Sequence, residues 1–167
     1  MAEPALVAFV AGFEGLWLIE GMTAPVGEPL PPAARLSVVE GAAAETAEGR
    51  WVLRGVVAGQ GEDGRADQLP LGRPEARCAA LVAVRMSPAW WERAEEDRRA
   101  LSATIQHGPA ISHRIFRARD RGEPFDLLTW FEFAPDLQAE LNDVAARLRD
   151  SDEWSYVERE AEIRLIR

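Results

Sequence analysis

The chain has 167 residues, with 19 basic and 28 acidic side chains and a formal charge of −9, a size that fits one domain able to bury a full core without covalent staples. Its apolar fraction of 47% and charged fraction of 28% are those of an ordinary globular protein and exclude disorder and collagen-like repeats. Every basic side chain is arginine and Cys78 is the single cysteine, which excludes lysine Schiff bases, a P-loop, an internal disulfide and zinc sites built on paired cysteines, while the acidic balance argues against nucleic acid as a partner.

The first segment, Met1 to Met22, holds the apolar run Ala5–Val10 but has no positive n-region and soon meets Glu14 and Glu20. It reads as neither signal peptide nor membrane span, so a cytoplasmic location without a membrane partner is expected. Ala5–Val10 and Leu16–Ile19 flank Gly12-Phe13-Glu14-Gly15, which predicts a hairpin. A proline-rich stretch, Pro25 to Pro32, precedes a short strand, Leu36–Val39, and Ala42 to Gly49 is an acidic loop or a single helical turn. Trp51–Ala58 is a strand, and the polar, glycine-rich Gly59–Asp67 is a connection whose glycine spacing does not follow the dinucleotide pattern.

Cys78–Arg85 is nearly continuously apolar, as a strand covered on both faces would be. Ser87-Pro88 predicts a helix start, with a face running Trp90, Ala94, Leu101, Ile105 and a stop at His107-Gly108-Pro109. Ile111–Ala118 is a strand, Asp120–Pro124 a turn and Phe125–Phe133 a strand apolar on both faces. Pro135 opens a helix with the stripe Leu137, Leu141, Val144, Ala145 and Leu148, and Tyr156–Ile166 alternates as a final strand. Residues 76–167 therefore spell β-α-β-β-α-β, a ferredoxin-like unit. Its second sheet face needs cover, which residues 1–75 or a second subunit can supply, giving an α+β fold closed into a barrel.

RDRGEPFDLLTWFEFAP (Arg119–Pro135) and LRDSDEWSYVEREAEIRLIR (Leu148–Arg167) resemble the chlorite dismutase family, in particular its short, dimeric branch. WVLRGV (Trp51–Val56), LGRPEA (Leu71–Ala76) and VRMSPAWW (Val84–Trp91) look like family segments in the same order. The resemblance implies a dimeric α+β barrel with haem b in the C-terminal unit. Activities it implies are chlorite decomposition to chloride and dioxygen, peroxidase-like turnover, or coproporphyrin haem decarboxylation.

Such chemistry needs a neutral imidazole on the iron with a carboxylate behind it, and a guanidinium above to hold an anionic oxidant. The resemblance implies His107 as the ligand and metal-binding residue, Glu153 as its carboxylate, and Trp90 at the haem edge with Trp130 as a second cofactor-side aromatic. The distal arginine's place falls on His113, with Arg114 beside it as the other distal catalytic candidate. Because strands alternate, Arg114 points away from the side His113 occupies: if His113 faces the barrel interior, Arg114 does not. The helix before His107 is short by roughly two turns, Met86 stands where the family has a lysine, and the expected tyrosine-bearing segment has become GQGEDGRAD.

Each of these residues also has a structural role open to it. His107 suits a helix C-terminus, and His113 suits a strand imidazole hydrogen-bonded inside or between subunits. Trp90, Trp91 and Trp130 suit a core. Glu132 and Glu153 suit surface or interface ion pairs, the arginine clusters at 98–99 and 114–121 suit a solvated or subunit-facing role as well as an anionic ligand, and Cys78 suits an inert buried thiol. Three readings follow: a haem oxidoreductase, a haem-free barrel acting as a binding or assembly subunit beside an intact paralogue, or a cofactor-less barrel enzyme on a small hydrophobic substrate. A homodimer or homo-oligomer is expected in each.

Overall fold

The computed structural model of the chain describes residues 6–57, 71–101, 107–119 and 124–167. Strands β1 (Leu6–Gly12), β2 (Trp17–Val26), β3 (Arg35–Glu40) and β4 (Trp51–Val57) come from the first half, and helix α1 (Ala42–Thr46) lies between the last two. The second half supplies β5 (Cys78–Met86), α2 (Pro88–Glu92), α3 (Glu95–Leu101), β6 (Ser112–Arg117), β7 (Leu127–Phe133), α4 (Gln138–Arg149) and β8 (Val157–Ile166). The eight strands close into a barrel in the order β1-β3-β2-β8-β5-β7-β6-β4, so the N-terminal strands close it within one chain. Each half repeats one order, fourth-first-third-second, which is the ferredoxin-like arrangement. No helix among the described residues is long and apolar enough to cross a membrane.

The two sheet faces carry separate cores. One set of alternate residues points into the lumen: Phe9, Trp17, Leu53, Leu81, Phe116, Leu128, Trp130 and Ile163 belong to one cluster. There Phe9 meets Phe116 and Trp130 at 5.3 and 5.4 Å between ring centres, and Trp17 meets Trp130 at 5.4 Å, the separations edge-on and tilted aromatic pairs favour. The other set, Cys78, Ala80, Val82, Val84, Phe131 and Phe133, packs under the helices with Leu141, Val144 and Leu148 of α4. This divides the apolar run of β5 by a period of two between lumen and helices, which is why it reads as continuous.

Two expectations change. The hairpin does not form, because β3 lies between β1 and β2 and pairs with both. Parallel strands ordinarily need a long crossover, but Ala11 and Trp17 both face Leu36, so β2 starts at the level where β1 ends. That stagger lets residues 13–16 suffice. The helix predicted from Ser87 is broken at Arg93, whose extended backbone (φ −74°, ψ 148°) ends α2 before α3 begins, and Ser87 makes no side-chain cap. Ile105, the whole of GQGEDGRAD and the turn at 120–123 lie outside the described residues.

The crossing of β3 depends on Gly15, whose φ is +141° and whose Cβ would lie 2.5 Å from the Leu36 carbonyl carbon. Gly15→Ala is expected to cost about 2 kcal/mol, from backbone strain and the clash, measured as a lowered denaturant midpoint. Gly12→Ala, with nothing within 4 Å of its Cβ, should change stability by less than about 0.5 kcal/mol.

Candidate functional site

The sequence candidates divide between the two faces of one sheet. His113 stands opposite Phe131, under the helices, whereas Arg114 stands opposite Trp130, towards the lumen. The expected alternation holds with the faces assigned: His113 lies outside the lumen and Arg114 faces it. Arg114 is half-buried, and its Nε is buried with no hydrogen-bond partner among the described residues. Trp130 is in the lumen core, its Nε1 donating to Glu132 Oε2 at 2.7 Å. The structure therefore does not bring Arg114 or Trp130 together with the two histidines.

His107 and His113 are brought together. Nε2 of His107 lies 2.7 Å from Nδ1 of His113, with ring centres 4.9 Å apart and planes at 87°. Nδ1 of His107 lies 2.7 Å from the Gly108 carbonyl oxygen, so Nδ1 carries the proton there, and in a neutral pair His113 Nδ1–H donates to His107 Nε2. Both ring nitrogens of His107 are thus engaged, and neither meets Glu153, which opens the 3-10 turn Glu153–Tyr156. The nearby carboxylate is Glu140 of α4, whose Oε1 accepts from Gly108 N–H at 2.7 Å. Arg73 donates to the Ala110 carbonyl at 2.7 Å, so the segment carrying His107 is tied on two sides. Glu140 carried no signal in sequence beyond its place on an amphipathic helix.

This spacing sets what can lie between the imidazoles. Groups packed on opposite faces of a porphyrin stand roughly 7 Å apart, twice a carbon contact of about 3.5 Å. Two imidazoles ligating one metal from opposite sides stand about 4 Å apart, twice a bond of about 2.0–2.1 Å. The observed 2.7 Å satisfies neither, so a haem held between His107 and the distal position of His113 does not fit the arrangement. Trp90, buried on α2, packs against Tyr156 at 5.3 Å, and Arg93 donates to the Tyr156 hydroxyl at 3.0 Å. Trp91 is half-buried rather than core, stacked by Arg119 at 3.7 Å and Arg98 at 5.3 Å.

A second polar group lies under α4. Glu160 is fully buried and accepts from Arg149 Nη2 at 2.7 Å, Arg149 Nε at 3.1 Å and Trp154 Nε1 at 2.8 Å. Burial pulls the Arg149 pKa down, but its hydrogen bond to Glu160 and the charges of Glu160 and Glu162 outweigh this and raise it. The alternation of β8 places Glu160 away from the lumen, yet that side is helix-covered, which turns a polar position into a buried one. Cys78, on the same face, is held above its ordinary pKa by burial first and then by Glu20.

Arg149→Ala leaves the Glu160 carboxylate buried without its counter-charge and is expected to cost about 3 kcal/mol in chemical denaturation, with Glu160→Gln in the same chain recovering part of the loss. Because the thiolate of Cys78 is disfavoured, native protein at pH 8 should react with a thiol reagent far more slowly than protein in denaturant, and faster only as the pH is raised.

No family model matches the chain, and no curated protein does. Solved structures do. A dimeric chlorite dismutase from Nitrobacter winogradskyi superposes with a TM-score of 0.86 at 38% identity, over 96% of this chain and 99% of that one. A mutant chlorite dismutase from Candidatus Nitrospira defluvii gives a TM-score of 0.66 at 12% identity, over 99% and 93% of the two chains. The same organism's chlorite dismutase in complex with imidazole gives 0.61 at 11%, over 99% and 92%; at such identities the likeness is one of fold.

Proposed function

The chain belongs to the chlorite dismutase family, and within it we propose a haem-free member: a homodimeric barrel that works as a binding or assembly subunit, its ancestral haem site closed by its own side chains. The observation that carries this reading is the 2.7 Å contact between His107 and His113. Where the family places an imidazole below the iron and a guanidinium above it, this chain has two imidazoles bonded to each other. Arg114, the neighbouring guanidinium, faces the lumen opposite Trp130 and is on the wrong side of the sheet to replace the lost one. A homodimer is supported by the dimeric relative, which matches this chain almost end to end.

A second reading, a haem b oxidoreductase that decomposes chlorite, is favoured by the 38% identity to a chlorite dismutase. It requires the segment from His107 to Ile111 to leave Glu140 and Arg73, so that His107 can turn onto iron with Glu153 behind it.

Haem titration separates the two. On the first reading, the purified protein mixed with haem shows no Soret band of a ligated haem protein and releases no dioxygen from chlorite at an oxygen electrode. Stoichiometric haem uptake that His107→Ala abolishes, together with dioxygen release, would establish the second reading instead.

A further inference from the structure

Resting on the homodimer reading, we infer that the crossover segment 13–16 and the adjoining outer face of β2 at Leu18 form the surface on which a second copy of this chain docks. Phe13, Leu16 and Leu18 are 88%, 63% and 39% exposed. Single exposed apolar residues are normal, but an aromatic and two leucines within six positions make a patch that marks interaction. The patch is held in shape: Gly15 presses the crossover onto the backbone of Leu36, Arg35 donates to the Gly15 carbonyl at 3.2 Å, and Leu18 lies between Arg35 and half-buried Ile166 in the strand register.

Two observations commit the occupant to a second copy. The first is topological. In the C-terminal half the outer face is covered by the helices of the crossovers, but the four-residue link from β1 to β2 carries none. Helix α1, between β3 and β4, buries Ala8 on the outer face of β1 and holds Arg54 of β4 through its carbonyls, but Phe13, Leu16 and Leu18 stay exposed beyond it, and the relative that matches 99% of its own length is dimeric. The second is charge. Arg35, Glu14 and Glu20 are exposed around the patch, and none of the three forms an ion pair among the described residues. A two-fold interface applies the same patch to itself, so Arg35 of each copy meets an acidic side chain of the other. A patch carrying both signs is self-complementary, whereas most of a chain of net charge −9 repels its copy.

Sedimentation equilibrium of the full chain tests this. The wild type should be a dimer, and Phe13→Glu with Leu16→Glu should raise its dissociation constant at least roughly 100-fold with the far-UV circular dichroism unchanged. Arg35→Glu should raise it about tenfold, and adding Glu14→Arg and Glu20→Arg should restore it. A wild-type dimer that the Phe13/Leu16 variant leaves intact would overturn this surface while leaving the homodimer standing. A wild type that stays monomeric at tens of micromolar concentration would overturn both.

Discussion

Closure of the barrel covers both faces of the sheet β8-β5-β7-β6, and this constraint decides the surroundings of nearly every residue discussed. Neither face of that sheet is left to solvent, so a side chain's environment depends on whether its position is odd or even along its strand. His113 and Arg114 are neighbours in sequence, yet one lies under helices beside Phe131 and the other faces a lumen walled by Phe9, Phe116 and Trp130. A one-residue slip of β6 would exchange them. The register is held because Phe116 and Trp130 fit the lumen and Phe131 and Phe133 fit the helices, which leaves the strand no comparable alternative.

Most of the fold was legible from period alone. The stripe Leu141, Val144, Ala145, Leu148 is a helix's covered face, and the two-sided apolar runs of β5 and β7 could only be central strands. The pairing of β1 with β2 was not legible correctly, because short glycine-containing links usually make hairpins and the stagger that lets four residues cross a strand is a property of the closed barrel. The break at Arg93 was hidden because α2 and α3 continue one another's apolar positions closely enough to read as a single face.

The site was legible in its members but not in its contacts. His107 and His113 are the only histidines, and any reading of metal or acid–base chemistry had to begin with them. That they would bond to each other depends on the course of residues 107–111, tied by Glu140 and Arg73 through backbone atoms of Gly108 and Ala110, and backbone partners leave no trace in sequence. Glu160 shows the same limit. Alternation placed it opposite to the lumen, but only the seating of α4, which brings Arg149 and Trp154 to its carboxylate, makes that position a buried ion pair instead of a solvated charge.

The two halves share a strand order and differ in what joins the strands. Where the crossover is long, as between β5 and β6 or β7 and β8, its helices cover the sheet and build an interior in which polar groups such as His113 and Glu160 must find partners from within. Where it is short, as between β1 and β2, the sheet keeps apolar side chains in water. In the covered half both ring nitrogens of His107 are already engaged, and the imidazole is not turned out towards a ligand. Exposed apolar side chains and charges outside any ion pair among the described residues come together instead around Phe13 and Arg35, beyond the part of the N-terminal half that α1 covers, which is where the proposed recognition of a second copy takes place.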